Sequence, residues 1–452
     1  MDTVPACSAL GEFRAALYGC FRHRADALFE LTDALLTTGP TLSPAHLSLA
    51  PVHRRGWGSL YAALAHGRIP RSAVRELVAR YPLADGPPLY AVDVSVWPRC
   101  DAETSPERGY YYHSSRHSAG QPIVAGWAYQ WVNQLSLTAD SWTAPLDVQR
   151  VHPGEDTNTV AAAQIKDVVR RRAADGRVPL FAFDAGYDPV QLALDLGALD
   201  LDTPVALLVR LRKNRCFYAD PDPARAAVTG RPRRHGRKFA CKDPTTWPAP
   251  TAEYQTEDAQ YGPVRVRAWA GLHAIPQNHT TKGTRGPKPI IRGTLILVEV
   301  SRLPHPTRTP NPLWLWWQGP EGSAPDLALL WRVYVRRFDQ EHTFRFCKGV
   351  LTWTTPRVRT PAQADRWTWL VLLAYTQLRL ARSVVTDQRL PWERRLPPHA
   401  LTPYRVRRAF SALLPLLGTP ANPPKPCGRS PGRPKGARSG PAPRYPAIKT
   451  AA

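Results

Sequence analysis

The chain has 452 residues, and its 60 Lys and Arg residues against 36 Asp and Glu give a formal net charge of +24. An excess of one sign this large is not expected of an ordinary small-molecule enzyme, and it favours a polyanionic partner, either nucleic acid or an anionic membrane surface. A hydrophobic content of 43% that includes 15 Trp excludes a fully disordered basic protein. At about 150 residues per domain, the length predicts roughly three domains.

The seven cysteines are scattered along the chain and form no C-x-x-C pair, so neither a disulfide framework nor a clustered zinc site is expected. The first residues lack the basic stretch and apolar run of a signal peptide. The longest apolar run, Trp369 to Tyr375, is far shorter than the roughly 18 to 20 residues of a membrane helix, and no basic amphipathic helix suggests binding to a membrane surface. We therefore expect a cytoplasmic protein, associated with the bacterial nucleoid, that binds nucleic acid and no membrane.

Residues 1–85 carry apolar side chains at helical spacing, and Ser72 is a candidate N-cap for a later helix. The spaced apolar residues include Phe13, Leu17, Phe21, Leu28, Phe29 and Leu35. The pattern predicts either a packed helical bundle with a solvated face or, given the charge, a helical DNA-binding domain.

In residues 86–212 the pattern changes to short apolar runs typical of strands, separated by two helical stretches. Asp156 or Thr157 is expected to cap the first of these helices, and a buried strand is expected to end at Asp184. The resulting order, β-β-β-α-β-α-β, predicts an α/β fold in which helices pack on a mixed sheet.

Residues 213–325 are expected to form a β-rich insertion, with a basic loop around Arg233 and Arg234 and several alternating strands. Helices are expected to return in residues 326–385, which complete the sheet domain. Residues 386–452 form a C-terminal region. From Ala421 onward it holds seven Lys or Arg, no Asp or Glu and eight Pro, a composition that predicts a disordered basic tail.

Two carboxylates stand at the ends of apolar strands, Asp93 in Ala-Val-Asp-Val and Asp184 in Phe-Ala-Phe-Asp. An acid at such a position is costly unless it is paired or binds a metal. A single one is more often a cap or an ion-pair partner. Two in one α/β unit, without a His or Cys cluster, favour a site for a hard cation such as Mg²⁺.

A third group of chemically distinctive residues lies in the segment 334–349. If the segment is one continuous helix, four of its residues share one narrow face over about 21 Å. They are Tyr334, Arg337, Glu341 and Lys348. A carboxylate between two cations and a phenol suits the binding of a metal-bound phosphodiester. The alternative is a solvated helix face with an ordinary i, i+4 ion pair between Glu341 and Arg345.

The spacing Tyr-x-x-Arg-x-x-x-Glu-x-x-x-x-x-x-Lys of these four residues resembles the signature of a large group of bacterial insertion-sequence transposases with an RNase H-like DDE core. Asp93 and Asp184 stand where the first and second acids of that family belong, and the segment from Asp184 to Tyr187 resembles its second block. The β-rich insertion is similar as well. The resemblance covers most of the chain, from the helical N-terminal domain to about residue 385.

The resemblance implies that Asp93, Asp184 and Glu341 are catalytic and hold two Mg²⁺ ions, which Mn²⁺ can replace. It implies metal-dependent cleavage of the terminal inverted repeats of an insertion sequence and strand transfer into target DNA, by a homodimer that pairs two ends. Tyr334, Arg337 and Lys348 would then bind phosphates of double-stranded DNA, and Arg233 and Arg234 would add non-specific contacts.

Cut-and-paste chemistry through a DNA hairpin, which the resemblance also implies, requires a flipped base and an aromatic platform for it. The candidates are the tryptophans of one predicted strand in the insertion, Trp314, Trp316 and Trp317, for which burial in the strand core is the alternative. Two other functions stay open: a catalytically inactive or domesticated DNA-binding relative, and an RNase H-like nuclease without strand transfer.

Overall fold

The computed structural model of the chain describes residues 4–39, 43–83, 86–113, 120–172, 176–199, 201–222, 233–275, 289–304, 309–426, 432, 434–438 and 440–449. The chain divides into two compact units, each of which is described by itself below. The first unit comprises Met1–Ala84, Val94–Glu155 and Asp339–Ala452, and the second comprises Asp85–Asp93 and Asp156–Phe338.

The fold is mixed α/β, as the sequence predicted. The α-helices, in chain order, are α1 (Val4–Cys20), α2 (Ala25–Thr37), α3 (Pro44–Leu47), α4 (Trp57–His66), α5 (Arg71–Ala79), α6 (Thr157–Arg172), α7 (Pro189–Gly197), α8 (Leu327–Arg336), α9 (Phe338–Gly349), α10 (Pro361–Ala381) and α11 (Pro403–Leu417). The strands are β1 (Leu89–Pro98), β2 (Gly109–Tyr112), β3 (Ile123–Gln134), β4 (Ala144–Val151), β5 (Leu180–Phe183), β6 (Ala206–Leu211), β7 (Cys216–Tyr218), β8 (Lys238–Ala240), β9 (Ala252–Asp258), β10 (Gly262–His273), β11 (Arg292–Val300) and β12 (Leu313–Gln318).

Helix α10 is the centre of the first unit. Its start is fixed by a capping box, in which the Thr360 hydroxyl accepts a hydrogen bond from the backbone N–H of Gln363 and the Gln363 side-chain oxygen accepts one from the backbone N–H of Thr360. Most of its 21 residues are buried, and α1, α2, α4, α11 and β4 all pack against it. A helix that is apolar on nearly all sides must be enclosed by other elements, which explains this arrangement.

A buried ion pair links α1 to α2 within that core. The guanidinium of Arg14 donates two hydrogen bonds to Asp33, at 2.6 and 3.0 Å, and further ones to Gln377 on α10 and to the carbonyl of Gly418. Because both charges are removed from water, each is tolerated only while the other is present.

The strands of the first unit form an antiparallel arrangement in which β3 pairs with both β2 and β4. The C-terminal segment, which the sequence predicted to be disordered, has an extended stretch beside β2. Ile448 forms a parallel bridge with Gly109, and the Arg108 guanidinium donates to the carbonyl of Tyr445. The structure therefore differs from the prediction at these residues, because backbone hydrogen bonding gives them a fixed place without a core.

The second unit contains a mixed sheet with the strand order β1-β5-β6-β12-β11-β10-β7-β8, and β9 pairs with the other edge of β10. The β1–β5 and β5–β6 pairs are parallel. The remaining neighbours in this order, from β6 through β12, β11, β10 and β7 to β8, pair antiparallel. Helices α6 and α7 precede and follow β5 along the chain, as crossover connections between parallel strands require. None of the described helices has the length and apolar character needed to cross a membrane.

We predict that Asp33→Asn lowers the free energy of unfolding by about 3 kcal/mol, because it leaves the Arg14 guanidinium buried without its counter-charge. The control is Glu253→Gln, which removes the exposed pair with Arg265 at 3.2 Å and is expected to cost at most about 1 kcal/mol. Urea unfolding of both variants measures the difference, and equal losses would contradict the role assigned to the buried pair.

Candidate functional site

Two acids of the second unit lie at neighbouring places in the sheet, Asp93 within β1 and Asp184 directly after the end of β5. Val92 of β1 is in register with Phe183 of β5, so Asp93 and Asp184 occupy the next position on neighbouring strands. Asp93 is buried at 8% exposure, whereas Asp184 is half-buried. The register thus places the two carboxylates on neighbouring strands where β5 ends. The prediction that Asp93 ends its strand is wrong, because β1 continues to Pro98, whereas Asp184 does follow the last residue of β5.

The turn after β5 fixes the second acid. The Asp184 carboxylate accepts a hydrogen bond of 2.8 Å from the backbone amide of Gly186. A Cβ atom at position 186 would lie only 3.0 Å from the same carboxylate oxygen, so glycine allows the turn to close on the acid. The next residues begin α7, whose N-cap Asp188 accepts hydrogen bonds from the amides of Val190 and Gln191.

Tyr187 lies near enough to both acids to feel their charges. Burial, together with the negative charges of Asp93 and Asp184, raises the pKa of its phenol well above the usual value, and the nearby Arg337 acts in the opposite direction. The phenol therefore keeps its proton at neutral pH and is a potential hydrogen-bond donor beside the two carboxylates.

Arg337 is the cation of this group. Its guanidinium donates a 2.9 Å hydrogen bond to the Asp93 carboxylate, and the residue is only 7% exposed. It also lies 5.7 Å from the ring centre of Tyr334. Burial raises the pKa of Tyr334, with Arg337 and Arg210 opposing this effect. Asp93, Asp184, Tyr334 and Arg337 are thus brought together in one unit, where Arg337 binds an acid of the protein.

The prediction of one continuous helix from Tyr334 to Lys348 is wrong. Helix α8 ends at Arg336, Arg337 is its C-cap, and α9 begins at Phe338. The four residues would share one face only in an uninterrupted helix that rotates by 100° per residue, and the helix is interrupted at this junction. Glu341 and Lys348 lie on α9 in the first unit, and Glu341 stands in its first turn, where the helix dipole favours a negative charge.

A cavity of about 820 Å³ lies beside the end of α9 in the first unit. Its basic lining residues are Arg99, His113, Arg345, Lys348 and Arg357. Arg345 and Arg357 are exposed, and the Lys348 ammonium lies 5.9 Å from the ring centre of Trp353. Asp101 is the acidic residue of the lining, so the cavity has an excess of positive charge that suits phosphate groups.

Carboxylate oxygens, as offered by Asp93 and Asp184, are the ligands that Mg²⁺ prefers, and Mg²⁺ often binds through one or two carboxylates and substrate phosphates. The donor set in the second unit therefore fits a magnesium ion. Across the described part of the chain, no group of three His, Cys, Asp or Glu side chains is close enough to hold a metal ion by itself.

The three tryptophans predicted as candidates for base stacking lie in β12 and are buried. Trp316 is fully enclosed and stacks on Phe217, while Trp314 packs against Trp247 and Trp269. Trp317 is also buried. A base cannot reach a covered ring, so the structure contradicts the platform prediction and agrees with the strand-core alternative.

The basic loop of the second unit is only partly described. Arg233 is exposed and Arg234 is half-buried, whereas residues 230–232 of the same loop lie outside the described residues. Their contact with DNA stays a prediction.

Sequence reasoning missed two participants in the acid cluster. Tyr187 was noted only as part of a resembling block, and Arg210 was not singled out. Arg210 is the one charged residue in the apolar strand β6 and is exposed, so its break in the apolar pattern was an available signal. The pairing of Arg337 with Asp93 joins residues 244 positions apart, and no local pattern could have revealed it.

A sequence profile for the family described as DDE superfamily endonuclease matches residues 16–274, more than half of the chain. The chain belongs to this family. The DDE-type endonuclease predicted from the sequence is thereby confirmed, and the protein is a nuclease-type enzyme. The matched range contains Asp93, Asp184 and Tyr187, whereas Glu341 and Lys348 of this DDE endonuclease lie beyond its end. No curated protein matches the chain.

We predict that Arg337→Met destabilises the DDE endonuclease by about 3 to 5 kcal/mol, since it leaves the Asp93 carboxylate buried without its cation. In the double variant Asp93→Asn with Arg337→Met no charge remains at this position, so part of the lost stability should return. Urea unfolding at neutral pH measures both. A double variant no more stable than Arg337→Met alone would show that the ion pair does not matter.

Proposed function

We propose that this DDE endonuclease is a transposase that cleaves the ends of an insertion sequence and joins them to target DNA. The observation that carries the proposal is the pair Asp93 and Asp184, which directly follow the last in-register residues of the parallel strands β1 and β5, in a chain that belongs to the DDE superfamily endonuclease family. The signature spacing of Tyr334, Arg337, Glu341 and Lys348 supports the narrower assignment to transposases with an RNase H-like core.

In this proposal Asp93, Asp184 and Glu341 are the catalytic acids and the ligands of two Mg²⁺ ions. Bound ions of this kind supply an activated water or DNA 3′-hydroxyl and stabilise the leaving oxygen. The protein's part is to position its carboxylates, and Arg337 does so for Asp93 by a direct hydrogen bond.

The cations of the first unit would hold the DNA. Lys348 and Arg345 line the cavity beside α9. Lys348 would bind a phosphate through its compact ammonium and Arg345 through its planar guanidinium. Arg337 was predicted to bind phosphate as well, but its contact with Asp93 favours a positioning role instead. The partners proposed are double-stranded terminal repeats, target DNA and a second copy of the chain that pairs the two ends.

A nuclease that does not join strands is the second candidate, because the family's own description is that of an endonuclease. It shares the acids and the metal with the transposase. A strand-transfer assay with precleaved ends separates the two, since only the transposase inserts the 3′-end into a target plasmid.

We predict that Asp93→Asn, Asp184→Asn and Glu341→Gln each slow the nicking of a supercoiled plasmid bearing the terminal repeats by at least about 100-fold, equivalent to about 2.7 kcal/mol in the barrier. The assay is run with Mg²⁺, with Mn²⁺ and with EDTA. Asp202→Asn, at an exposed acid of the second unit, is the control and should retain activity. Wild-type activity in Glu341→Gln would contradict the assignment of the third acid. DNA binding by the wild type without metal-dependent nicking would indicate an inactive relative.

We predict that Arg345→Gln combined with Lys348→Gln weakens binding to duplex DNA and makes it less salt-dependent. If each cation neutralises one phosphate, the slope of log K against log salt falls in magnitude by about 1.8. The matched control replaces Arg170 and Lys213, two exposed cations of the other unit, by Gln. Fluorescence anisotropy at several salt concentrations gives the slopes, and equal slopes for wild type and the cavity variant would exclude the cavity as a phosphate site.

A further inference from the structure

Trp392 is the most exposed tryptophan of the chain. All 15 tryptophans lie within the described residues, and only Trp57 and Trp392 are exposed, at 66% and 80%. An indole offers a large apolar surface, and leaving it in water forgoes the stabilisation that burial supplies. Trp392 stands in a loop of residues 386–397, called the Trp392 loop below, between α10 and α11.

The Trp392 loop is held in place by its own acids. Asp387 pairs with Arg405 at 2.7 Å, and Glu393 pairs with Arg408 at 2.8 Å, both arginines lying on α11. The same Glu393 carboxylate accepts a 2.8 Å hydrogen bond from the Leu390 amide. These contacts fix the loop before any ligand arrives, so the exposed indole is presented on an ordered backbone.

The same two ion pairs, Asp387–Arg405 and Glu393–Arg408, also determine the net charge of the surface around the indole. The two acidic side chains of the loop are bound to α11, whereas Arg389, Arg394 and Arg395 are exposed. The surface around Trp392 is therefore positive, with the loop's negative charges already neutralised. A second exposed aromatic, Tyr404, lies on α11 with the guanidinium of Arg408 5.5 Å from its ring centre.

An exposed aromatic ring among exposed arginines is the combination by which proteins bind unpaired nucleic acid. The ring stacks on a base, which gives about 1 to 3 kcal/mol per base, and the cations contact the neighbouring phosphates. Duplex DNA offers no free base face except at its ends or where it is opened. The net charge of +24 favours this polyanion over a protein partner for the same surface.

We propose that the Trp392 loop binds an unpaired stretch of DNA, with the Trp392 indole stacked on a base and Arg394 and Arg395 on adjacent phosphates. This inference rests on the proposed function for DNA as the substrate. It assigns a contact with unpaired DNA to a region for which the sequence predicted no role.

The experiment compares two single-stranded 20-mers with the same backbone, one with bases and one with abasic sites at its central positions. Affinities of the full chain are measured by fluorescence anisotropy without divalent metal. Trp392→Ala should weaken binding to the base-bearing strand by about 5- to 150-fold, which is 1 to 3 kcal/mol at tenfold per 1.4 kcal/mol. Binding to the abasic strand should be unchanged.

Three further variants separate stacking from charge and from folding. Trp392→Phe should retain most of the affinity, because it keeps an aromatic face. Arg394→Gln with Arg395→Gln should weaken binding to both strands alike and reduce the salt slope by about 1.4. Tyr110→Ala, at an exposed aromatic residue of β2, is the control and should behave as wild type.

An unaltered affinity of Trp392→Ala for the base-bearing strand overturns the proposal, and so does an equal loss on both strands. The plasmid nicking assay on the wild type is run in parallel. Normal nicking with no effect of Trp392→Ala on binding means that this inference alone has failed. Absence of metal-dependent nicking, with the effect of Trp392→Ala on binding present, means that the proposed function has failed and the strand-binding loop stands.

Discussion

The candidate site in the second unit depends on one requirement, the compensation of a buried negative charge. Asp93 lies within the strand β1 and is almost fully removed from water, a position that a carboxylate occupies only with a partner. Arg337 is that partner, and it comes from the far end of the unit's sequence at the junction between α8 and α9. The strand that carries Asp93 and the junction that carries Arg337 therefore have to be placed correctly together.

Much of this fold could be predicted because its signals are local. Short apolar runs followed by an acid identified β1 and β5. The helix predicted to be capped by Asp156 begins at Thr157, and the Asp156 carboxylate accepts a hydrogen bond from the backbone N–H of Asn158. Strand β2 and helix α11 were missed. The first is only four residues long, and the second lies in a region whose basic, Pro-rich composition obscured the apolar stripe around Val406 and Phe410.

What could not be predicted follows from distance along the chain and from burial. The break at Arg337 means that Glu341 and Tyr334 are not on one continuous helix face. For the tryptophans of β12, spacing alone does not say which side of a strand is covered, and here both sides are: Trp316 and Trp317 are neighbours in sequence, and both are buried. Trp392, which is exposed, had no periodic context that would have singled it out.

The net charge also has a different distribution from the one that composition suggests. Several arginines neutralise acids of the chain itself, such as Arg14 on Asp33, Arg75 on Asp147 and Arg150 on Asp365. These residues serve as structural ions, since a guanidinium can satisfy a carboxylate with two parallel hydrogen bonds. The positive charge offered to a partner is therefore concentrated at fewer places, among them the cavity beside α9 and the Trp392 loop.

The bridge between Ile448 and Gly109 has a consequence for the edge of the first unit's strands. An uncovered edge strand presents free amides and carbonyls that can pair with another molecule. The extended segment occupies part of this edge beside β2, with Ile448 donating to the Arg108 carbonyl at 2.7 Å. A polar stretch of chain thus protects this edge from pairing with another strand. A truncated protein without it would expose the free amides and carbonyls of β2 to other molecules.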